Sequence, residues 1–224
     1  MKIGIMGALS EEISELIPYL TNITKSTISG KQFIEGSLPD PVVLCTSGVG
    51  KINATLTSYI LISHFKVDII IFTGFAGSLD PNLEIGDVVI SDEVVQHDLD
   101  NLTPGLLSLG YLLANPGLIK MTSKVLEKLE VPYIVGKILS GDQFISDTLV
   151  KELLYNKFGG ICVEMEGAPV GYVCKLNNIP FVIIRHISDK ADSSAAVDFY
   201  SFAKQKSKVS AQIVKDLVWY INHG

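Results

Sequence analysis

Cysteine, tryptophan and positive charge are all scarce in this chain. Of its 224 residues three are cysteine, one is tryptophan, and 18 Lys+Arg stand against 24 Asp+Glu, leaving a formal charge of −6. Cys45, Cys162 and Cys174 lie in or near apolar segments without a close pairing, which excludes a disulfide framework and suits free buried thiols in a reducing compartment. The lysines are scattered rather than clustered, so non-specific binding to DNA or RNA has no electrostatic footing. Long apolar runs are missing too. The most apolar stretches, residues 67–72 and 181–184, are strand-sized and far below the roughly 20 residues of a bilayer span, so no membrane association is expected. No export signal is evident: Lys2 precedes a short apolar run that Gly4 and Gly7 interrupt and Glu11-Glu12 end, and a cytoplasmic location is expected. His64, His97, His186 and His223 have no metal-like spacing and the thiols complete none, so no metal and no redox cofactor are expected.

What the chain does have is apolar material, at 47% of residues, enough for one large core and one domain over residues 1–224. Strand and helix patterns alternate. Residues 2–6 suit a first strand and 11–20 a helix that Pro18 weakens near its end. Residues 25–29, 32–36 and 42–46 are β-like, with short connections that favour antiparallel pairing. Helices are expected over 52–64, 117–130, 146–158 (with Ser146 or Asp147 as N-cap), 166–176 and 199–221. The near-continuous apolar run 68–72 suggests a strand covered on both faces, ending in a turn at Gly74-Phe75-Ala76-Gly77. Further strands are expected over 87–95, 133–140, 161–163 and 181–187, with a long loop over 96–116. The fold class that follows is α/β with a mixed sheet.

Ligands in open α/β sheets gather at the carboxyl ends of strands. The polar residues there are Glu11 and Glu12, the Gly74–Gly77 turn, Glu164 and Glu166, and Arg185, Ser188 and Asp189. Each has a plain structural reading as well. Glu11 and Glu12 complement a helix dipole, Asp189 caps a turn, and Glu164 and Glu166, flanking Met165, share one side of an extended segment. Arg185 is harder to set aside. A guanidinium inside Phe-Val-Ile-Ile-Arg needs a carboxylate partner. Other motifs fail on inspection. Gly48-Val49-Gly50-Lys51 has Cys45 where a phosphate loop needs its first glycine and Ile52 where it needs Ser or Thr, so it reads as a tight turn before a helix. His97-Asp98 suggests a dyad, yet neighbours in a loop more often point apart. No nucleophile elbow is present.

In combination the strand-end motifs resemble the bacterial 5′-methylthioadenosine/S-adenosylhomocysteine nucleosidases. The resemblance is carried, in order, by Met1-Lys2-Ile3-Gly4-Ile5-Met6-Gly7-Ala8 with Glu12, Ser47-Gly48-Val49-Gly50-Lys51 and Thr73-Gly74-Phe75-Ala76-Gly77. Ser140-Gly141-Asp142-Gln143-Phe144, Val163-Glu164-Met165-Glu166-Gly167-Ala168 and Arg185-His186-Ile187-Ser188-Asp189 complete it. It implies the three-layer α/β/α sandwich of the nucleoside phosphorylase/hydrolase superfamily and a hydrolysis that separates adenine N9 from the ribosyl C1′. It also implies the roles. Glu12, helped by Arg185, deprotonates the attacking water, and Asp189, steered by Ser188, protonates adenine N7. Glu166 binds the ribose hydroxyls and Met165 packs on the sugar. Phe144 stacks on the purine, the Ile145 backbone reads its edge, and Phe199 lines the 5′-substituent pocket. Leu9, Val49, Ala76, Gly77 and Glu164 complete the substrate-binding set. The same resemblance implies a homodimer whose 96–116 loop helps close the neighbour's pocket, and the length of that loop and its Leu102, Leu106 and Leu107, expected to be exposed, agree loosely.

Four positions depart from the family's pattern. Phe75 replaces a small or hydroxyl residue, Leu9 a methionine, and Asn101 and Pro104 an apolar and an aromatic residue. They bear on the 5′ specificity rather than on the chemistry. Rival readings are a purine nucleoside phosphorylase, a hydrolase of another purine nucleoside such as 6-amino-6-deoxyfutalosine, and a non-catalytic nucleoside-binding protein. A phosphorylase needs cationic phosphate ligands, and here Thr73 precedes the glycine turn while the first loop offers Ser10, Glu11 and Glu12.

Overall fold

A computed structural model describes residues 1–99 and 110–224, excluding the side chains of 199–207. In chain order the strands are β1 (Ile3–Gly7), β2 (Thr21–Ile28), β3 (Lys31–Leu38), β4 (Asp40–Thr46), β5 (Ile69–Ser78), β6 (Val88–Gln96), β7 (Leu112–Leu113), β8 (Tyr133–Ser140), β9 (Cys162–Glu164) and β10 (Phe181–Asp189). The helices are α1 (Lys51–Ser63), α2 (Pro116–Lys128), α3 (Thr148–Phe158), α4 (Gly167–Asn177) and α5 (Ala195–His223).

One mixed sheet organises them. Strands β4, β1, β5 and β10 run parallel side by side, and β2–β3–β4 form an antiparallel meander at one edge. Because β5 pairs with β10 and, at its far end, with β9, the strands β5–β10–β6–β8–β9 close into a ring. Every residue of β1, β5 and β10 is buried, which explains the continuous apolar runs: both faces are covered. Alternation sorts their side chains. Met6, Ile70, Phe72, Phe181 and Ile183 pack toward α1 and α4, whereas Ile5, Ile69, Ile71, Val182 and Ile184 pack toward α2 and α5. This is the expected layered α/β sandwich with helices on both sides.

Most elements form where the pattern places them. Asp147, not Ser146, is the N-cap of α3, accepting from Leu149 N at 2.8 Å and Val150 N at 3.1 Å. Two corrections bear on the site. Residues 11–20 make two 3-10 turns, Ser10–Glu12 and Ser14–Tyr19, rather than an α-helix. Pro18 lies in the second turn and cannot supply the N–H a longer α-helix would need. The Gly74–Gly77 segment is no turn. Strand β5 continues through it, pairing Gly74 with Arg185 and Gly77 with Asp189. Its glycines serve close approach instead of chain reversal.

Candidate active site

The parallel strands deliver their carboxyl ends to one cavity of about 790 Å³. Its lining includes Leu9 and Glu12 after β1, Val49 after β4, Phe75, Ala76 and Gly77 of β5, Phe144 and Ile145 after β8, Glu164, Met165 and Glu166 at the end of β9, and Ser188 and Asp189 of β10. Sequence reasoning named all of these. It also named Glu11, which borders the cavity, and Arg185, which lies fully buried behind the wall. Ala8, Gln143, Val163 and Ala196 line the cavity without having been anticipated; Gln143 and Val163 sit inside motifs whose neighbours were. The Phe199 side chain and Asn101, Leu102, Pro104, Leu106 and Leu107 lie outside the described residues.

Glu12 reaches the cavity because the 3-10 turn after β1 folds it back onto the strand end. Its Oε2 accepts from Ala8 N at 2.5 Å and Leu9 N at 2.9 Å, and its Oε1 from Phe75 N at 3.1 Å. Burial pushes its pKa up, against the pull of Arg185 and those N–H groups, so Glu12 is a stronger base than a solvated carboxylate. Gly74 makes room for it. A Cβ at Gly74 would stand 2.5 Å from Glu12 Oε1 and 3.0 Å from Arg185 Nη1. Gly74→Ala is therefore expected to displace Glu12 and lower kcat by about 10- to 100-fold. Steady-state kinetics beside a thermal melt would check this, and an unchanged kcat would mean that Glu12 has no fixed position to lose.

Arg185 supplies the positive charge. Its Nη2 lies 2.6 Å from Glu164 Oε2, the buried partner that the apolar context demanded, and its guanidinium sits 4.0 Å from the centre of the Phe72 ring. Against burial, which lowers it, the Glu164, Glu12 and Glu166 charges hold Arg185 above its ordinary pKa. Glu164 and Glu166 do not act as a same-side pair. The chain bends at Glu166, the N-cap of α4, and the two carboxylates part. Glu164 turns inward and accepts from Ser140 Oγ, Arg185, Glu166 N and Gly167 N. Glu166 stays at the cavity, accepting from Gly50 N at 2.8 Å. Burial and the Glu164 charge push Glu166 up to about 8.

Asp189 lines the same cavity from the end of β10. Strand β10 carries one extra residue against β5 between Ile187 and Asp189, a bulge that re-aims the side chains. Gly77 faces Asp189, and a Cβ there would stand 2.8 Å from its Oδ1. Asp189 Oδ1 accepts from Ala191 N at 2.9 Å, while Ser188 Oγ lies 2.8 Å from its Oδ2. Burial is the largest influence on Asp189 and raises its pKa, favouring the protonated form. His97 and Asp98 point apart: His97 packs edge-on to Phe158, whereas Asp98 binds Lys51. Burial pushes the thiols of Cys45, Cys162 and Cys174 up, and none lines the cavity. Among the described residues no cluster of His, Cys, Asp or Glu is arranged to hold a metal ion.

The family model of the Phosphorylase superfamily matches residues 2–218. A 5′-methylthioadenosine/S-adenosylhomocysteine nucleosidase of Staphylococcus aureus is 37% identical, the match covering 96% of this chain and 98% of the relative. The chain belongs to this nucleosidase family of the phosphorylase superfamily. Solved structures agree. A Helicobacter pylori nucleosidase mutant with 5′-methylthioadenosine in its active site superposes with a TM-score of 0.92 at 32% identity, over 97% of each chain. A structure described as futalosine hydrolase from the same organism gives 0.91 at 32% identity, over 97% of each chain. The expected fold class and family membership are thus met, and none of the described helices is long and apolar enough to cross a membrane.

Proposed function

We propose that the protein hydrolyses the N-glycosidic bond of 5′-methylthioadenosine and S-adenosylhomocysteine, releasing adenine and the thio-substituted ribose. The observation that carries hydrolysis over phosphorolysis is that the described cavity wall holds no cationic residue. Among the described lining residues Glu11, Glu12, Glu164, Glu166 and Asp189 are acidic and none is cationic. Arg185, behind that wall, is already engaged by Glu164. Such a wall offers phosphate no counter-charge and accommodates water.

The roles follow from acid–base chemistry. Adenine leaves poorly as an anion, so Asp189 donates a proton to N7 as C1′ becomes cationic. Glu12 takes a proton from water on the other side of the sugar, and Arg185 orients Glu12 through their mutual attraction. Glu166 receives the ribose hydroxyls while Met165 packs on the ring. The nearby carboxylates stabilise the developing ribosyl cation. Phe144, Ile145, Ala76, Gly77 and Ser188 flank the purine, and Leu9 and Val49 the 5′ substituent. The division of labour is that of sugar hydrolases with nitrogen in the leaving group.

We further infer one nucleosidase domain over residues 1–224, a cytoplasmic location consistent with the three free thiols, and a homodimer. The dimer is supported by apolar side chains standing in solvent on α1 and beyond: Ile52 is 83% exposed and Tyr111 76%. A second substrate reading, 6-amino-6-deoxyfutalosine, is favoured by the likeness to the futalosine hydrolase. The test is adenine release from methylthioadenosine, adenosylhomocysteine, 5′-deoxyadenosine and 6-amino-6-deoxyfutalosine, with and without phosphate. Release is expected without phosphate, giving free methylthioribose. Strict phosphate dependence with methylthioribose 1-phosphate as product would overturn hydrolysis.

A further inference from the structure

Lys51 and Asp98, which the chemistry above leaves unused, meet beside the cavity. Consecutive N–H groups at the start of α1 diverge onto two carboxylates. Gly50 N donates to Glu166 Oε1 at 2.8 Å, and Lys51 N donates to Asp142 Oδ1 at 2.8 Å. Asp142 is held in turn. Its own N–H donates to Asp98 Oδ2 at 2.9 Å, and Lys51 Nζ donates to both Asp98 oxygens at 2.8 Å. Lys51 Nζ also stands 3.7 Å from Asp142 Oδ2, so the ring of contacts closes on itself. It ties together the ends of β4, β6 and β8.

The loop is fastened on its other flank as well. Lys31 Nζ donates to Ser47 O and Asn53 Oδ1, each at 2.6 Å, and Asn53 Nδ2 to Val49 O at 2.7 Å. Gly50 has φ +93, and a Cβ there would stand 3.0 Å from Asp142 Oδ1. The loop thus combines a backbone only glycine adopts freely with a carboxylate packed against the vacant Cβ position. Asp142 thus holds the peptide unit adjoining the Gly50 amide, whose N–H is directed at Glu166. Asp142 also immediately precedes Gln143 and Phe144, which line the purine side of the cavity.

We propose that Asp142, braced by Asp98 and Lys51, is a positioning residue that aims the Gly50 N–H at Glu166 and so fixes the carboxylate that receives the ribose hydroxyls. The inference rests on the reading of Glu166 given above. A staple that merely stabilised the fold would lower turnover of every substrate by one factor. A positioning residue acting through Glu166 is felt only by a substrate bearing the hydroxyls that Glu166 binds.

The experiment compares kcat/KM, without phosphate, for methylthioadenosine and its 2′,3′-dideoxy analogue in the wild type, Asp142→Ala, Asp142→Asn and Glu166→Gln. Asp142→Ala is expected to lose about tenfold or more on the ribonucleoside, the scale of one hydrogen bond to a charged group, and at most about twofold on the dideoxy analogue. Asp142→Asn keeps an oxygen for Lys51 N and is expected to recover most of the loss. Glu166→Gln shows the same substrate dependence more strongly. Equal losses for Asp142→Ala on both substrates, or none on either, overturn the positioning role while Glu166→Gln still discriminates. A Glu166→Gln that fails to discriminate overturns the reading of Glu166 instead. Should Asp142→Ala fail to fold, Asp98→Asn carries the same test: a loss confined to the ribonucleoside supports the role, and a uniform loss refutes it.

Discussion

Asp189→Asn is expected to lower kcat by about 10³-fold while methylthioadenosine still binds, because asparagine keeps the shape of the side chain and loses the proton. Its amide oxygen can still accept from Ala191 N, now bonded to Asp189 Oδ1 at 2.9 Å, so the bulge is retained. N7 then has no acid to take a proton from, and the departing adenine must carry its charge. Stability should move the other way. Burial raises Asp189 above its ordinary 3.8, so the native state binds a proton more tightly than the unfolded chain does. Wild-type stability therefore falls as pH climbs from about 3.8 toward the raised value. The asparagine variant escapes that fall. Its Tm at pH 7 should match or exceed that of the wild type, and the advantage should vanish in acid, where both states of the wild type are protonated. Adenine-release kinetics, calorimetric binding and melts at the two pH values check the three parts. Retained turnover would remove Asp189 from the mechanism.

Much of this site was legible in the sequence because strands covered on both faces announce themselves. The runs at 68–72 and 181–184 located β5 and β10, and a charge inside such a run, Arg185, foretold a carboxylate partner, which the structure gives as Glu164. Three features were illegible, each for a physical reason. Gly74 and Gly77 look like turn residues, but they are strand positions whose missing side chains leave space for Glu12 and Asp189, a requirement set by tertiary neighbours. Glu164 and Glu166 alternate as on a strand, yet the strand ends between them and α4 begins, sending one to Arg185 and the other to Gly50. The partnership of Lys51, Asp98 and Asp142 joins three strand ends, and no local pattern specifies it. Phe75, which departs from the family's pattern, keeps its N–H on Glu12 and lines the cavity, so the change reshapes the wall and spares the backbone contact.

Removing the buried cation should expose how the site is held together. Arg185→Met fits a similar volume without charge and leaves Glu164 without its partner at 2.6 Å, beside Glu12 and Glu166. Breaking one side of a buried pair costs about 3–5 kcal/mol, because the remaining charge stays desolvated. The deficit is a pH 7 quantity. Arg185 now pulls Glu12 and Glu166 down against their burial, so its loss lets both rise further. A native state that holds protons more tightly loses stability as pH rises from the ordinary glutamate value of 4.5, and the variant loses more of it than the wild type does. Denaturant unfolding should therefore show a large gap at pH 7 that narrows toward pH 4.5. Turnover should fall as well, since a Glu12 that keeps its proton cannot take one from water. A gap independent of pH would mean that Arg185 contributes only packing over Phe72, and the carboxylates would then need another source of restraint.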